Sequence, residues 1–279
     1  MATTFSADGA RLHYESMPAA PLFGRGHDPV LMIQGLGADM TGWAFQRLAF
    51  AARHRVVAFD NRGAGRSDKP TGPYDLSAMA DDAVAVLDAA GIERAHLVGA
   101  SMGGVVAQIV AVRYPERVSS LVLACTAARN HPWREELFNQ WIRVAADDGM
   151  GALGRTAMRW LVGPRSLRRF APALGFAAPL LMSAPVDGFI SQCQAILDAD
   201  QSLTATLSSV VAPTLVIVGN QDILTPRGDS EELAELIPGA ELVVIAGAAH
   251  GLMVEHASTF NRVVLDFLAR SDRARLAVA

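Results

Sequence analysis

The chain has 279 residues, 51% of them hydrophobic and 19% charged, with 24 Lys and Arg against 28 Asp and Glu for a formal net charge of −4. That length can bury a sizeable core as one large domain, or as one domain carrying an insertion. The mild acidity lacks the basic patches that nucleic acid or an anionic membrane calls for, and the two cysteines, Cys125 and Cys193, have neither metal-ligand spacing nor a disulfide framework.

The N-terminus has no basic segment followed by an apolar stretch, and no apolar run is long enough to span a membrane, so the expected location is cytoplasmic. Asp8-Gly9, between Phe5 and Leu12, predicts a hairpin turn in an antiparallel edge. The apolar run Val30–Ile33 reads as a buried strand and leads into Gln34-Gly35-Leu36-Gly37. A second strand is expected over 55–59. Met79, Ala83, Val84, Val86, Leu87 and Ala90 then keep a helical period that starts near Asp75 or Ser77 and stops at Gly91.

Residues 95–99 read as another buried strand, and 102–114 as a buried helix ended by Pro115. Between them lies Gly99-Ala100-Ser101-Met102-Gly103, a G-x-S-x-G pattern at a strand-to-helix junction. Such a corner holds a serine hydroxyl out of the sheet, and the glycines remove side chains that a tight turn would crush. The unpaired N–H groups that open the helix favour negative charge at the same spot. The run 118–125 predicts a strand, with Cys125 as a buried thiol.

Strands recur at 214–218 and 242–245, whereas 127–206 has no strong strand run. The alternation predicts an α/β fold with a mostly parallel central sheet flanked by helices, its core formed by 1–126 and 207–279. Residues 127–206 are expected to form a helical cap over the carboxyl edge of the sheet. The aromatic and Met side chains of this segment are expected to pack its own core for the most part, with some lining an apolar pocket. Trp133, Trp141, Trp160 and Met158 are the candidates, and Phe170, Phe176 and Met182 belong to the same group.

A serine hydroxyl needs a base, and the base needs an orienting carboxylate. Asp222 follows the strand 214–218 and His250 follows the strand 242–245, so both emerge on the rim that carries Ser101. Of the other histidines, His96 lies within a strand and faces a helix, and His54 precedes a strand on the opposite rim. His13 and His27 are N-terminal and His131 falls in the cap. His256, about one helical turn past the His250 loop, is the rival base. Backbone N–H groups of Leu36 and Met102 are the candidate donors to an oxyanion.

On these motifs the chain resembles the α/β-hydrolase fold superfamily, in its class of capped, esterase- and lactonase-like serine hydrolases. The resemblance extends to Asp60-Asn61-Arg62-Gly63-Ala64-Gly65-Arg66-Ser67, similar to the D-x-R-G-x-G-x-S loop of the family, which is expected to be a structural turn. It also covers Tyr114-Pro115-Glu116-Arg117-Val118 and 219–226. Gln34 stands where many members have His. The resemblance implies cleavage of a carboxylic ester, lactone or thioester with an apolar portion through an acyl-enzyme, with neither metal nor organic cofactor. Carbon–carbon bond hydrolases and cofactor-free haloperoxidases or perhydrolases share the triad and stay open, as does a receptor with vestigial hydrolysis. The expected partner is a small molecule, not nucleic acid or a membrane, and a homo-oligomer is compatible with the sequence.

Overall fold

In the computed structural model, residues 2–20, 27–168, 183–199 and 202–277 are described. Their strands are β1 (Ala2–Phe5), β2 (Arg11–Met17), β3 (Val30–Ile33), β4 (Val56–Phe59), β5 (Ala95–Ala100), β6 (Val118–Ala124), β7 (Thr214–Gly219) and β8 (Glu241–Ile245). They form one sheet in the order β1-β2-β4-β3-β5-β6-β7-β8. β1 and β2 join antiparallel, and all pairs from β4 to β8 are parallel. The hairpin at Asp8-Gly9 closes through hydrogen bonds between Ser6 and Ala10, with Gly9 at φ 85°.

The helices are α1 (Ala44–Phe50), α2 (Leu76–Ala89), α3 (Met102–Arg113), α4 (Pro132–Leu161), α5 (Val186–Leu197), α6 (Ser202–Thr206), α7 (Arg227–Leu236), α8 (Leu252–Glu255) and α9 (Ala257–Leu276). None of them is long and apolar enough to cross a membrane. Strand alternation divides the core between the two faces of the sheet. Leu31 and Ile33 of β3 pack with Met79 and Ala83 of α2 and with Val106 and Val110 of α3. Val30 and Met32 pack with Phe260, Val264 and Leu268 of α9 on the opposite face. The Asp75 side chain caps α2 by accepting from Ser77 N–H at 2.6 Å.

Among the described residues, helices α4, α5 and α6 lie between β6 and β7, and α4 is bent at Gly149, which has φ 78°. Leu137, Phe138 and Trp141 of α4 and Phe189 of α5 are buried in the same cluster as α2 and α3. This apolar interior is therefore continuous with the main core. Phe170, Phe176 and Met182 lie outside the described residues.

Two local features set the upper rim. At the β5–α3 corner, Ser101 adopts φ 52° and ψ −121°, a region that costs a non-glycine residue about 1–3 kcal/mol and persists only when its surroundings impose it. The imposing contact is backbone on backbone: a Cβ on Gly103 would collide with the carbonyl oxygens of Ile33 and Gln34. The second feature is the loop 60–67. Arg62 lies buried against Asp82 in two hydrogen bonds of 2.7 and 2.8 Å and also reaches Asp8 at 2.8 Å. Asp60 holds Met40 N–H at 2.9 Å and Arg66 N–H at 2.8 Å.

Gly103→Ala is expected to lower stability by at least about 2 kcal/mol, because the neighbouring carbonyls cannot move aside. Gly228→Ala, in helical α7 with nothing within 4 Å of the new Cβ, is expected to be neutral or to stabilise by up to about 1 kcal/mol. Urea denaturation of both variants measures the contrast. In the same assay Arg62→Met, which strands the buried Asp82 carboxylate, is expected to cost about 3–5 kcal/mol. An unchanged midpoint would contradict the structural role of this loop.

Candidate active site

Parallel pairing brings the loops after β3, β5, β7 and β8 to one edge. Ile33 is in register with Gly99, Ala100 with Ala124, Ala124 with Ile217, and Gly219 with Ile245. Ser101 stands at the start of α3, half-buried, where the helix presents its first N–H groups. The loop after β3 passes so close that a Cβ on Gly35 would lie 3.1 Å from the Ser101 Cβ. Among the described residues neither Leu36 N–H nor Met102 N–H donates to another protein group, while Gly35, Gly37 and Ser101 N–H do. Gly35 N–H is taken by Gln34 Oε1 at 2.8 Å, and Gly37 N–H by Gln192 Oε1 at 2.8 Å.

Asp222 is buried, and all four of its lone-pair directions are used. Oδ1 accepts Leu224 N–H and Thr225 N–H, each at 2.9 Å; Oδ2 accepts the Thr225 hydroxyl at 2.9 Å and pairs with His250 Nδ1 at 2.9 Å. Burial works to raise the pKa of this carboxyl. The attraction of His250 and the hydrogen bonds from His250 and Thr225 outweigh it, holding Asp222 below the ordinary carboxylate range. With Nδ1 engaged, Nε2 is the His250 nitrogen left to serve the cavity that the residue lines.

Cys125, at φ 47°, lies against this pair: Cys125, Asp222 and His250 bring ligand-capable atoms within 4.8 Å of one another. They are poor metal ligands. Burial and the adjacent Asp222 push the Cys125 thiol well above its ordinary range, and the Asp222 oxygens are already saturated.

A cavity of about 610 Å³ opens above these groups. Ser101, His250, Gln34 and Leu36 reach it from the core, Phe138 and Trp141 from α4, and Arg165 and Glu255 stand among its few charged lining groups. Of the four pocket candidates, Trp141 lines this cavity. Trp133 is 42% exposed and stacks on Trp160 with ring centres 6.2 Å apart, and Met158 is buried; these three are not among the lining residues. His256 lines the cavity without contacting Asp222. Arg62 does not line it, and Asn61 reaches the rim only from behind, donating to Gln34 O at 2.8 Å.

Three positioning groups escape a reading of motifs. Thr225 braces both Asp222 and His250; its signal in the sequence is a hydroxyl three residues after a loop aspartate, an arrangement suited to a local turn. Gln192 of α5 holds Gly37 N–H and donates to Arg62 O at 2.7 Å, so the segment between β6 and β7 pins the Leu36 loop. Arg134 of α4, paired with Asp229, donates to Leu224 O at 3.0 Å and supports the Asp222 turn. No local pattern announces these roles of Gln192 and Arg134, because Gly37 and Leu224, the groups they hold, are 155 and 90 residues away in the chain.

Comparison with known proteins agrees with this architecture. The chain is 33% identical over 250 residues to the "Putative carbamate hydrolase RutD" of Caulobacter sp. (strain K31), covering 86% of this chain and 90% of that protein. It is 34% identical over 261 residues to the 2-hydroxymuconate semialdehyde hydrolase of Pseudomonas sp. (strain CF600), covering 89% of each. The crystal structure of the enol-lactonase from Burkholderia xenovorans LB400 superposes with a TM-score of 0.87 at 29% identity, over 96% of this chain and all of that one. The sequence profile described as alpha/beta hydrolase fold matches residues 28–257, and the chain belongs to that family of hydrolases.

Proposed function

We propose that this protein is a serine hydrolase that cleaves a carboxylic ester, lactone or thioester with an apolar portion. The observation that carries the reading is the juxtaposition of Ser101, on its strained corner, with the Asp222–His250 pair at one cavity. In this mechanism Ser101 Oγ adds to the carbonyl carbon while its proton passes to His250 Nε2. Asp222 holds the Nδ1–H and stabilises the imidazolium. The negative charge that develops on the carbonyl oxygen is met by the N–H groups of Leu36 and Met102, which among the described residues have no other protein partner to give up. Collapse returns the proton from His250 to the leaving oxygen or sulfur and leaves an acyl-serine. A water that gives its proton to His250 then releases the acid and restores the serine.

The apolar lining of the cavity supports the apolar portion of the substrate, and the lining that Phe138, Trp141, Ala157 and Leu161 contribute supports reading residues 127–206 as a cap. Relatives named as a lactonase and as a hydrolase of a semialdehyde support the lactone and carbon–carbon readings of the same machinery. A carbon–carbon hydrolase would use the same serine, with a carbanion as leaving group.

Ser101→Ala is expected to lower turnover by about 10⁴-fold or more with the fold intact. His250→Ala should do the same, whereas His256→Ala should act mainly on KM and keep kcat within about tenfold. A serine-directed phosphonate should label Ser101 and abolish hydrolysis. Esters of graded chain length, lactones and dienoate cleavage products assayed side by side select the bond that is cleaved. Slow labelling with no turnover and tight binding of an apolar ligand would favour a receptor instead.

A further inference from the structure

The opposite edge of the sheet carries a second cluster of ionisable groups that the proposed reaction does not use. His96, second residue of β5, lies five positions before Ser101, about 17 Å along the strand. His27 and Asp28 precede β3, His54 precedes β4, and Asp272 reaches them from α9. His27, His54 and Asp272 each bring a ligand-capable atom within 4.8 Å of the other two, and Asp28, His96 and Asp272 do the same.

The hydrogen bonds around this cluster orient it in a specific way. His54 Nδ1 is 2.9 Å from Asp28 O, so it carries the proton and Nε2 keeps its lone pair. That Nε2 is buried without a hydrogen-bond partner among the described residues, on a residue only 1% exposed. His96 Nδ1 meets the Ser120 hydroxyl at 2.8 Å, and its Nε2 meets Asp272 Oδ1 at 3.1 Å. Asp272 Oδ2 lies 2.7 Å from His27 Nδ1. A neutral imidazole steadied through its other nitrogen by a carbonyl, beside a carboxylate steadied through its other oxygen, is the outer-shell pattern of metal-binding histidines and carboxylates.

We propose that His27, His54 and Asp272 form a binding site for one divalent transition-metal ion of the zinc class, with His54 ligating through Nε2. His96 and the Asp28 carbonyl serve as supports for the ligands. The three ligands leave a fourth position for water, and His27, whose side chain is 27% exposed, provides the entry path. Ligand atoms on one zinc lie about 3.3 Å apart, so closure needs side-chain movement of about an ångström. Binding replaces the hydrogen bond between His27 Nδ1 and Asp272 Oδ2 and satisfies the orphaned His54 nitrogen. It also ties the segment before β3 to the C-terminal helix.

The charge states suit a cation. Burial, opposed by the hydrogen bond to Asp28 O, drives His54 down to about 4, so it is neutral at physiological pH. Despite burial, the hydrogen bonds from His96 and His27 hold Asp272 at about 2, so it is ionised.

The test is titration of the chelator-treated, full-length protein with Zn²⁺, followed by isothermal calorimetry, metal analysis after desalting and thermal melting. The expected result is one equivalent bound, a raised Tm, and at least a tenfold loss of affinity in both His27→Ala and His54→Gln. Should His54→Gln fail to fold, the half-exposed His27→Ala decides alone. Failure of the wild type to take up zinc overturns the proposal. So does uptake that persists in His27→Ala, or uptake that is lost in His250→Gln, which would place the ion at the Cys125–Asp222–His250 cluster. Because the readout is binding and stability, the result is independent of which bond the enzyme cleaves.

Discussion

The close approach of the β5–α3 corner to the loop after β3 is the constraint on which the rest of the site depends. Gly103 lies against the Ile33 carbonyl and Gly35 against Ser101, so neither backbone can relax without separating the helix from the sheet. The unfavourable φ at Ser101 is therefore held by packing that the buried α3 helix supplies. The same approach brings the loop that carries Leu36 against Ser101, the residue before Met102. A strained serine and a tightly packed neighbouring loop follow from one steric fact.

The second requirement is a carboxylate that stays charged while buried. Asp222 meets it by filling every acceptor direction, three of them from its own turn and one from His250. An unpaired buried carboxylate would neutralise itself, and a mobile one would lose its hold on the imidazole ring. The turn is in turn supported by Arg134 of α4, and the Leu36 loop by Gln192 of α5. Gly251, next to His250, donates to Leu161 O at 2.7 Å. The segment between β6 and β7 thus contacts each loop that carries a candidate group, and movement of that segment would be felt at all of them.

The two ends of the sheet divide the buried polar chemistry of the molecule. At the carboxyl edge the polar groups open onto a large cavity and keep one imidazole nitrogen available. At the amino edge His54, His96 and Asp272 are enclosed, with His27 at their border. A count of histidines along the chain gives no hint of this second grouping, since its members come from positions as far apart as 27 and 272.

Much of the framework was legible in the sequence because it depends on local periodicity. Apolar runs bounded by turn residues located β3 to β8 within a residue or two, Asp8-Gly9 located the hairpin, and the start of α2 was narrowed to Asp75 or Ser77, of which the structure makes Asp75 the cap. The shared direction of parallel strands was enough to predict that the loops carrying Ser101, Asp222 and His250 lie on one edge. The tryptophans were not legible in this way: a helix turns each side chain by about 100° per residue, so Trp141 faces the cavity while Trp133 and Trp160 stack against each other elsewhere. Gln192, Arg134 and the His27–His54–Asp272 cluster depend on contacts between segments distant in the chain. By itself the sequence determined the strands β3 to β8, the helices α2 and α3 and the residues at the sharp corner, because backbone sterics and burial periodicity act over a few residues. Only tertiary structure decided which side chains share a cavity and which polar atoms are left without partners, because those depend on how helices and loops pack across the sheet.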